Sequence, residues 1–185
     1  IDGAEIVLSS RDHHGNVFHL ASQQTKTSEI KISASGEVKT TDSFGVVGPH
    51  DNLLPLELFR HETRLCKFGP HIRQIEAALP KKTDELAFLH ETSAVILDTV
   101  KYEKAQTTVE TDAEKAAALG VGVCQDHVHI FLTLVRRQVF AARYVSGYLV
   151  GLAEGGDQAT HAWAEAYIDG LGWVGFDISN SISHN

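Results

Sequence analysis

The stretch at 120–126, GVGVCQD, constrains this chain more than any other. It delivers one cysteine, Cys124, to the first turn of an apolar helix that runs through HVHIFLTLVRRQ to about Gln138. Val128, Leu132 and Val135 recur at i, i+4 and i+7, and Ile130 and Leu134 widen the stripe that the helix must bury. Gly120 and Gly122 lack a Cβ, which permits a tight turn and the close approach of another backbone. Burial alone does not ask for a cysteine at the head of such a helix. Chemistry does, because the unpaired N–H groups of a helix N-terminus favour thiolate over thiol.

A thiolate nucleophile needs a general acid/base and a group to orient it. The strand-like runs THAWAEAYI (160–168) and GWVGFDISN (172–180) supply His161 and Asp177, in the chain order Cys, His, Asp. Strand alternation tests the pairing. His161, Trp163, Glu165 and Tyr167 share one face, and Ala162, Ala164, Ala166 and Ile168 share the other. Trp173, Gly175 and Asp177 share a face of the following strand. A two-residue turn at Asp169 and Gly170 would set Ala162 opposite Asp177 and point His161 and Asp177 to opposite faces. A three-residue loop, 169–171, sets Trp163 opposite Asp177 and makes His161 its same-face diagonal neighbour, roughly 7–8 Å away at the backbone. The triad therefore requires an odd-length loop or a bulge there, despite the Asp-Gly pair.

GVGVCQDH, ARYVSGY and HAWAEAYIDGLGWVGFD together resemble the bacterial transglutaminase-like superfamily of cysteine acyl-transfer enzymes, strongly over 100–177. RDHHGNVFHL resembles that family's N-terminal region more weakly. The resemblance implies a papain-like core, with Cys124 as nucleophile, His161 as base and Asp177 as orienting carboxylate. The activity expected is thiol-dependent acyl transfer on amide bonds: hydrolysis by a cysteine peptidase or amidase first, protein-glutamine transglutamination second. A non-catalytic binding module is the third reading, and the presence of all three residue types argues against it. Ile178 and Ser179 stand where relatives more often carry Pro-Thr, which concerns the turn after Asp177 more than the carboxylate.

The 185 residues suit one domain or a domain with a small satellite. The order of elements predicts an α+β fold: a β-rich N-terminal region at 1–53, then a core at 54–185 with helices first and sheet second. In the first region 5–9, 17–22, 29–34 and 38–40 read as strands, with hairpin chemistry in DHHGN, and 41–53 reads as a connector. In the second, 56–60 and 71–79 read as short helical pieces. A longer helix capped at 83–85 runs to about Val100, and a short one follows Asp112. Strands at 142–150, 160–168 and 172–178 complete the core. The chain opens on Ile1, holds no methionine and ends eight residues after Asp177, so it reads as a piece of a longer protein.

A net charge of −8 with interspersed signs argues against nucleic acid and anionic membrane as partners; the resemblance implies a peptide or protein substrate. No apolar run approaches the roughly 20 residues of a spanning helix. Cys66 and Cys124, 58 positions apart, make no disulfide framework or CxxC pattern and read as free thiols, which favours the cytoplasm. No cofactor is called for and no metal site is visible. His127 and His129 point about 200° apart on a helix and cannot chelate one ion together. His127, one turn from Cys124, is a rival base whose simpler role is local hydrogen bonding. Cys66 in RLCKFG has no catalytic context. Gln125 is a candidate oxyanion donor or cap. Trp163 and Trp173 suit a substrate groove or core packing. GLAEGGDQA (151–159) reads equally as a solvent loop or a substrate-selecting lid. GxSxG, P-loop and HExxH signatures are lacking.

Overall fold

Residues 1–23, 25–26, 28–39, 41–51, 53–149 and 159–182 are described by the computed structural model. They fall into two units, Ile1–Thr41 with Asp51–Pro55, and Asp42–His50 with Leu56–Asn185.

The first unit holds one antiparallel hairpin, β1 (Glu5–Arg11) with β2 (Val17–Ser22). Asp12 closes it: one carboxylate oxygen accepts the N–H groups of His14 and Asn16, and Gly15 takes a positive φ of 87°. The expected strands at 29–34 and 38–40 do not form among the described residues. Their alternation is real, but a strand persists only where a neighbouring ladder satisfies its backbone, and Lys31 finds a single bridge to Asp2.

In the second unit, β3 (Val46–Gly48) comes from the stretch that reads as connector. A 3₁₀ turn (Leu56–Arg60) precedes α1 (Pro70–Ala77) and α2 (Glu85–Thr99). Asp84 caps α2 by accepting the Ala87 N–H at 2.7 Å. Gly69 offers α1 no side-chain cap. Glu114 does so from a distance, accepting the N–H groups of His71 and Ile72 at 2.9 and 3.1 Å. Next come β4 (Lys101–Tyr102), α3 (Ala113–Leu119) and β5 (Val121–Gly122), with β4 and β5 paired in parallel. Then α4 (Cys124–Arg137) leads into β6 (Ala142–Leu149), β7 (Ala159–Ile168) and β8 (Gly172–Phe176).

The main sheet is antiparallel, in the order β3-β8-β7-β6. α4 packs on it and is buried nearly all round, from Asp126 and His127 through Val135, so it is the central helix rather than a one-sided surface helix. Ala162, Ala164 and Ala166 of β7 join Val128, Phe131 and Leu132 in one core cluster with Val174 and Phe176 of β8. This is an α+β architecture, as the order of elements predicts. Among the described residues no helix is long and apolar enough to cross a membrane.

The turn into α4 gives its two glycines different jobs. Gly120 ends α3 in the left-handed region at φ 68°, a conformation costly for any residue with a Cβ. Gly122 is buried, and a Cβ there would lie 2.8 Å from Cβ of Asp126. Gly122→Ala should destabilise the fold by about 1–3 kcal/mol through overpacking. Gly120→Ala should cost about 1–2 kcal/mol through backbone strain alone. Urea unfolding followed by circular dichroism measures both. If Gly122→Ala unfolds at the wild-type midpoint, the close approach is not a constraint.

Candidate active site

Cys124 occupies the first helical position of α4, where its own N–H and that of Gln125 have no acceptor within the helix. The cysteine is half-buried and packs against the core. Asp126, fully buried two residues on, fixes the helix start. Its Oδ2 accepts the Val123 N–H at 2.8 Å and the Thr107 hydroxyl at 2.6 Å. The Gln125 side-chain amide donates to the Thr108 carbonyl at 2.9 Å, so it ties the 107–108 segment to the helix.

The hairpin that carries the other two residues has the geometry the triad requires. Ile168 faces Gly172 and Ala164 faces Phe176, so 169–171 form a three-residue loop and the same register sets Trp163 opposite Asp177. His161 and Asp177 then meet directly, with Nε2 of the imidazole 2.7 Å from Oδ2 of the carboxylate. They are 9% and 1% exposed. In so dry a place this bond is strengthened and the imidazole orientation is fixed. Asn180 completes the arrangement. Its amide Nδ2–H donates to Oδ2 of Asp177 at 2.6 Å, and its backbone N–H reaches Oδ1 at 3.3 Å. Asn180 was not legible as a site residue. The only signal is the Asp-x-x-Asn spacing, which acquires meaning once the chain turns back and Asp177 bridges Ile182.

Three links bring the head of α4 to this hairpin. α4 packs on β7. His127 spans the gap, with Nε2–H donating to the Val100 carbonyl at 3.0 Å and Nδ1 accepting the Ser179 hydroxyl at 2.9 Å. The Tyr102 phenol lies within electrostatic reach of both Cys124 and Asp177. Burial first, then Cys124 and Asp177, push the Tyr102 phenol up. Burial, Cys124 and Asp126 do the same to Tyr144 on β6. Both phenols therefore stay neutral.

The remaining candidates have other partners. His127 is a structural clamp, and burial pushes its imidazole down, toward the neutral form. His129 points elsewhere, with Nδ1 3.6 Å from the Cys66 thiol and its ring stacked on Tyr144 at 5.3 Å. Among the described residues no three His, Cys, Asp or Glu side chains converge as metal ligands. Burial pushes the Cys66 thiol up, away from reactivity. Trp173 is a packing residue, buried, with its indole N–H donating to Nδ1 of His50 at 3.2 Å. Trp163 lies beside His161, ring centroids 6.4 Å apart, and over Gly147, where a Cβ would meet its ring at 2.7 Å. Of the GLAEGGDQA stretch, 151–158 lie outside the described residues.

The transglutaminase-like superfamily profile matches residues 73–178, more than half of the chain and all three candidate residues. The chain belongs to the transglutaminase-like superfamily. It is similar to a Cytophaga hutchinsonii crystal structure described as a "putative cysteine protease", with a TM-score of 0.59 and 26% identity over 68% of this chain and 42% of that one. An uncharacterized protein of Mycobacterium tuberculosis is 30% identical over 112 residues, 55% of this chain and 35% of its own length. One of Mycobacterium leprae is 38% identical over 68 residues, 33% of this chain and 23% of its own length. The chain thus spans about a third or less of the curated relatives it matches.

The buried histidines predict an acid-sensitive fold. His127 and His129 are pushed below the ordinary value by burial, whereas the unfolded chain titrates near 6.5. As pH falls through about 6.5 the unfolded state takes up protons that the folded state refuses. Stability is therefore complete above that pH and declines below it, until the folded-state value is reached. The slope is up to about 1.4 kcal/mol per pH unit for each histidine. Urea midpoints between pH 7.5 and about 5 should fall more steeply for the wild type than for His127→Gln. Equal slopes would remove His127 from the acid response.

Proposed function

We propose that this chain is a cysteine hydrolase of amide bonds, a peptidase or amidase, working through Cys124, His161 and Asp177. The observation that carries the reading is the buried 2.7 Å bond between His161 and Asp177, and the half-buried Cys124 at the start of the central helix supports it.

The chemistry follows from the geometry. Nε2 of His161 is engaged by Asp177, so Nδ1 takes the Cys124 proton, leaving thiolate beside imidazolium. The thiolate attacks the carbonyl carbon of a peptide or carboxamide. The oxyanion that forms is met by the Cys124 N–H at the helix N-terminus. Nδ1 then returns its proton to the departing amine as the C–N bond breaks, and a thioester remains on Sγ. Water, deprotonated by the same nitrogen, releases the acid and regenerates the thiol. Asn180 acts through Asp177, holding the carboxylate in the plane that meets the imidazole. Two free thiols fit a reducing, cytoplasmic setting.

Two measurements test this. With Cys66 as internal control, iodoacetamide should label Cys124 at pH 6 much faster than Cys66, and His161→Ala should abolish the difference. Equal labelling would sink the activated nucleophile. On glutamine-containing peptides the wild type should release new peptide ends or ammonia without any added amine. Cys124→Ala and His161→Ala should each lose about 10²–10⁴-fold in rate. Ammonia released only in the presence of a primary amine would make the enzyme a protein-glutamine transglutaminase instead. Neither product, with unactivated Cys124, would leave a binding module.

A further inference from the structure

We propose that the chain carries a second binding site, for a small oxyanion of the phosphate class, in the cavity lined by Arg60, Arg136 and Arg137 at the far end of α4.

The cavity has a volume of about 180 Å³ and is lined by Arg60, Glu62, Cys66, Thr133, Arg136 and Arg137. A water molecule takes up about 30 Å³ of liquid, so the space exceeds a single solvent molecule several-fold and suits a tetrahedral anion with residual water. Three guanidinium groups and the Glu62 carboxylate line the cavity, while Arg60 and Arg137 also pair with Glu57 and Glu76 outside the lining.

Arg136 is the decisive residue. Nε and Nη2 both donate to the Ala142 carbonyl, at 3.2 and 2.8 Å, which fixes the plane of the guanidinium. Nη1 is buried and has no hydrogen-bond partner among the described residues, and the guanidinium faces the Cys66 thiol. None of the ion pairs among those residues includes Arg136. Arg136 is half-buried, and native structures meet a buried donor such as its Nη1 with an anion or ordered water. Burial already acts against the charge, depressing the Arg136 guanidinium from its usual range.

The other two arginines that line the cavity are exposed and each has an ion-pair partner. Arg137 spends Nε on Glu76 at 2.9 Å, and its guanidinium lies 3.5 Å over the Phe68 ring. Arg60 makes a loose, exposed pair with Glu57 at 3.5 Å. Each guanidinium carries five N–H donors, so most remain for a ligand. Guanidinium groups bind phosphate oxygens through paired, charge-assisted bonds. Arg136 lies twelve residues beyond Cys124 on the same helix, about 18 Å along its axis, so the site is separate from the candidate active site.

Cys66 makes the test direct, because it lines the cavity and is 3% exposed. The labelling rate of Cys66 with N-ethylmaleimide, a neutral reagent, is followed by mass spectrometry on the full chain at constant ionic strength. Millimolar inorganic phosphate replacing chloride should slow it severalfold and raise the melting temperature. Arg136→Gln should abolish both effects. Arg60→Gln, which leaves the Arg136 bonds to Ala142 intact, should weaken them severalfold and covers the case in which Arg136→Gln does not fold. Phosphoserine acting at lower concentration than phosphate would place the anion on a larger molecule, and equal potency would identify a free ion. Both results keep the site. Equal protection by chloride and phosphate, or phosphate protection that survives in Arg60→Gln and Arg136→Gln alike, would overturn it.

Discussion

The docking of α4 on the alanine face of β7 is the constraint on which the rest of the second unit depends. Ala162, Ala164 and Ala166 present only methyl groups, so the large residues of α4 can seat against the strand without steric conflict. Little apolar area comes from the alanines. It comes from Val128, Ile130, Phe131, Leu132 and Val135, which fill the space between the sheet and the surrounding helices. Once that helix is seated, the position of Cys124 is no longer a local choice. The Asp126 carboxylate pins the first turn, and His127 ties it to the end of α2 and to the segment beyond β8. The thiol and the histidine–aspartate pair are thus held by the same packing that stabilises the core.

Much of this was legible because the informative features are periodic. The apolar stripe of α4 and the two-residue alternation of β7 survive tertiary packing, since each marks a face that must be buried. The odd loop at 169–171 was legible for the same reason: the alternation of His161 and Asp177 fixes a parity that the Asp-Gly pair contradicts, and the parity prevailed. Elements without a period were not. β3 is three residues long, β4 and β5 two each, and none is long enough to display a pattern. Glu114 caps a helix more than forty positions earlier, which no local window can reveal. The opposite error at 29–34 has the same root, because alternation indicates a strand only when a partner strand is present.

The two cysteines sit in opposite settings along one helix. At its start, unpaired N–H groups surround Cys124 and the neutral phenols of Tyr102 and Tyr144 add no competing charge. Toward its other end, Cys66 packs against the helix in a dry setting, its thiol facing His129 in a contact of 3.6 Å. Cys66 and His129 thus form a Cys–His contact in a dry setting. What distinguishes the two cysteines is position: Cys124 begins the helix, whereas Cys66 packs against His129 farther along it.

The three-residue loop between β7 and β8 behaves as a reading frame for the sheet. Every side chain on β8 is assigned to the core or to the histidine face by the count of residues between the strands. Insertions and deletions there can be silent only in steps of two. A single added residue would turn Val174 and Phe176 out of the core and bring Asp177 in, exchanging stability and chemistry in one event. Loop length is thus constrained twice over, by the burial of Phe176 and by the bond between Asp177 and His161.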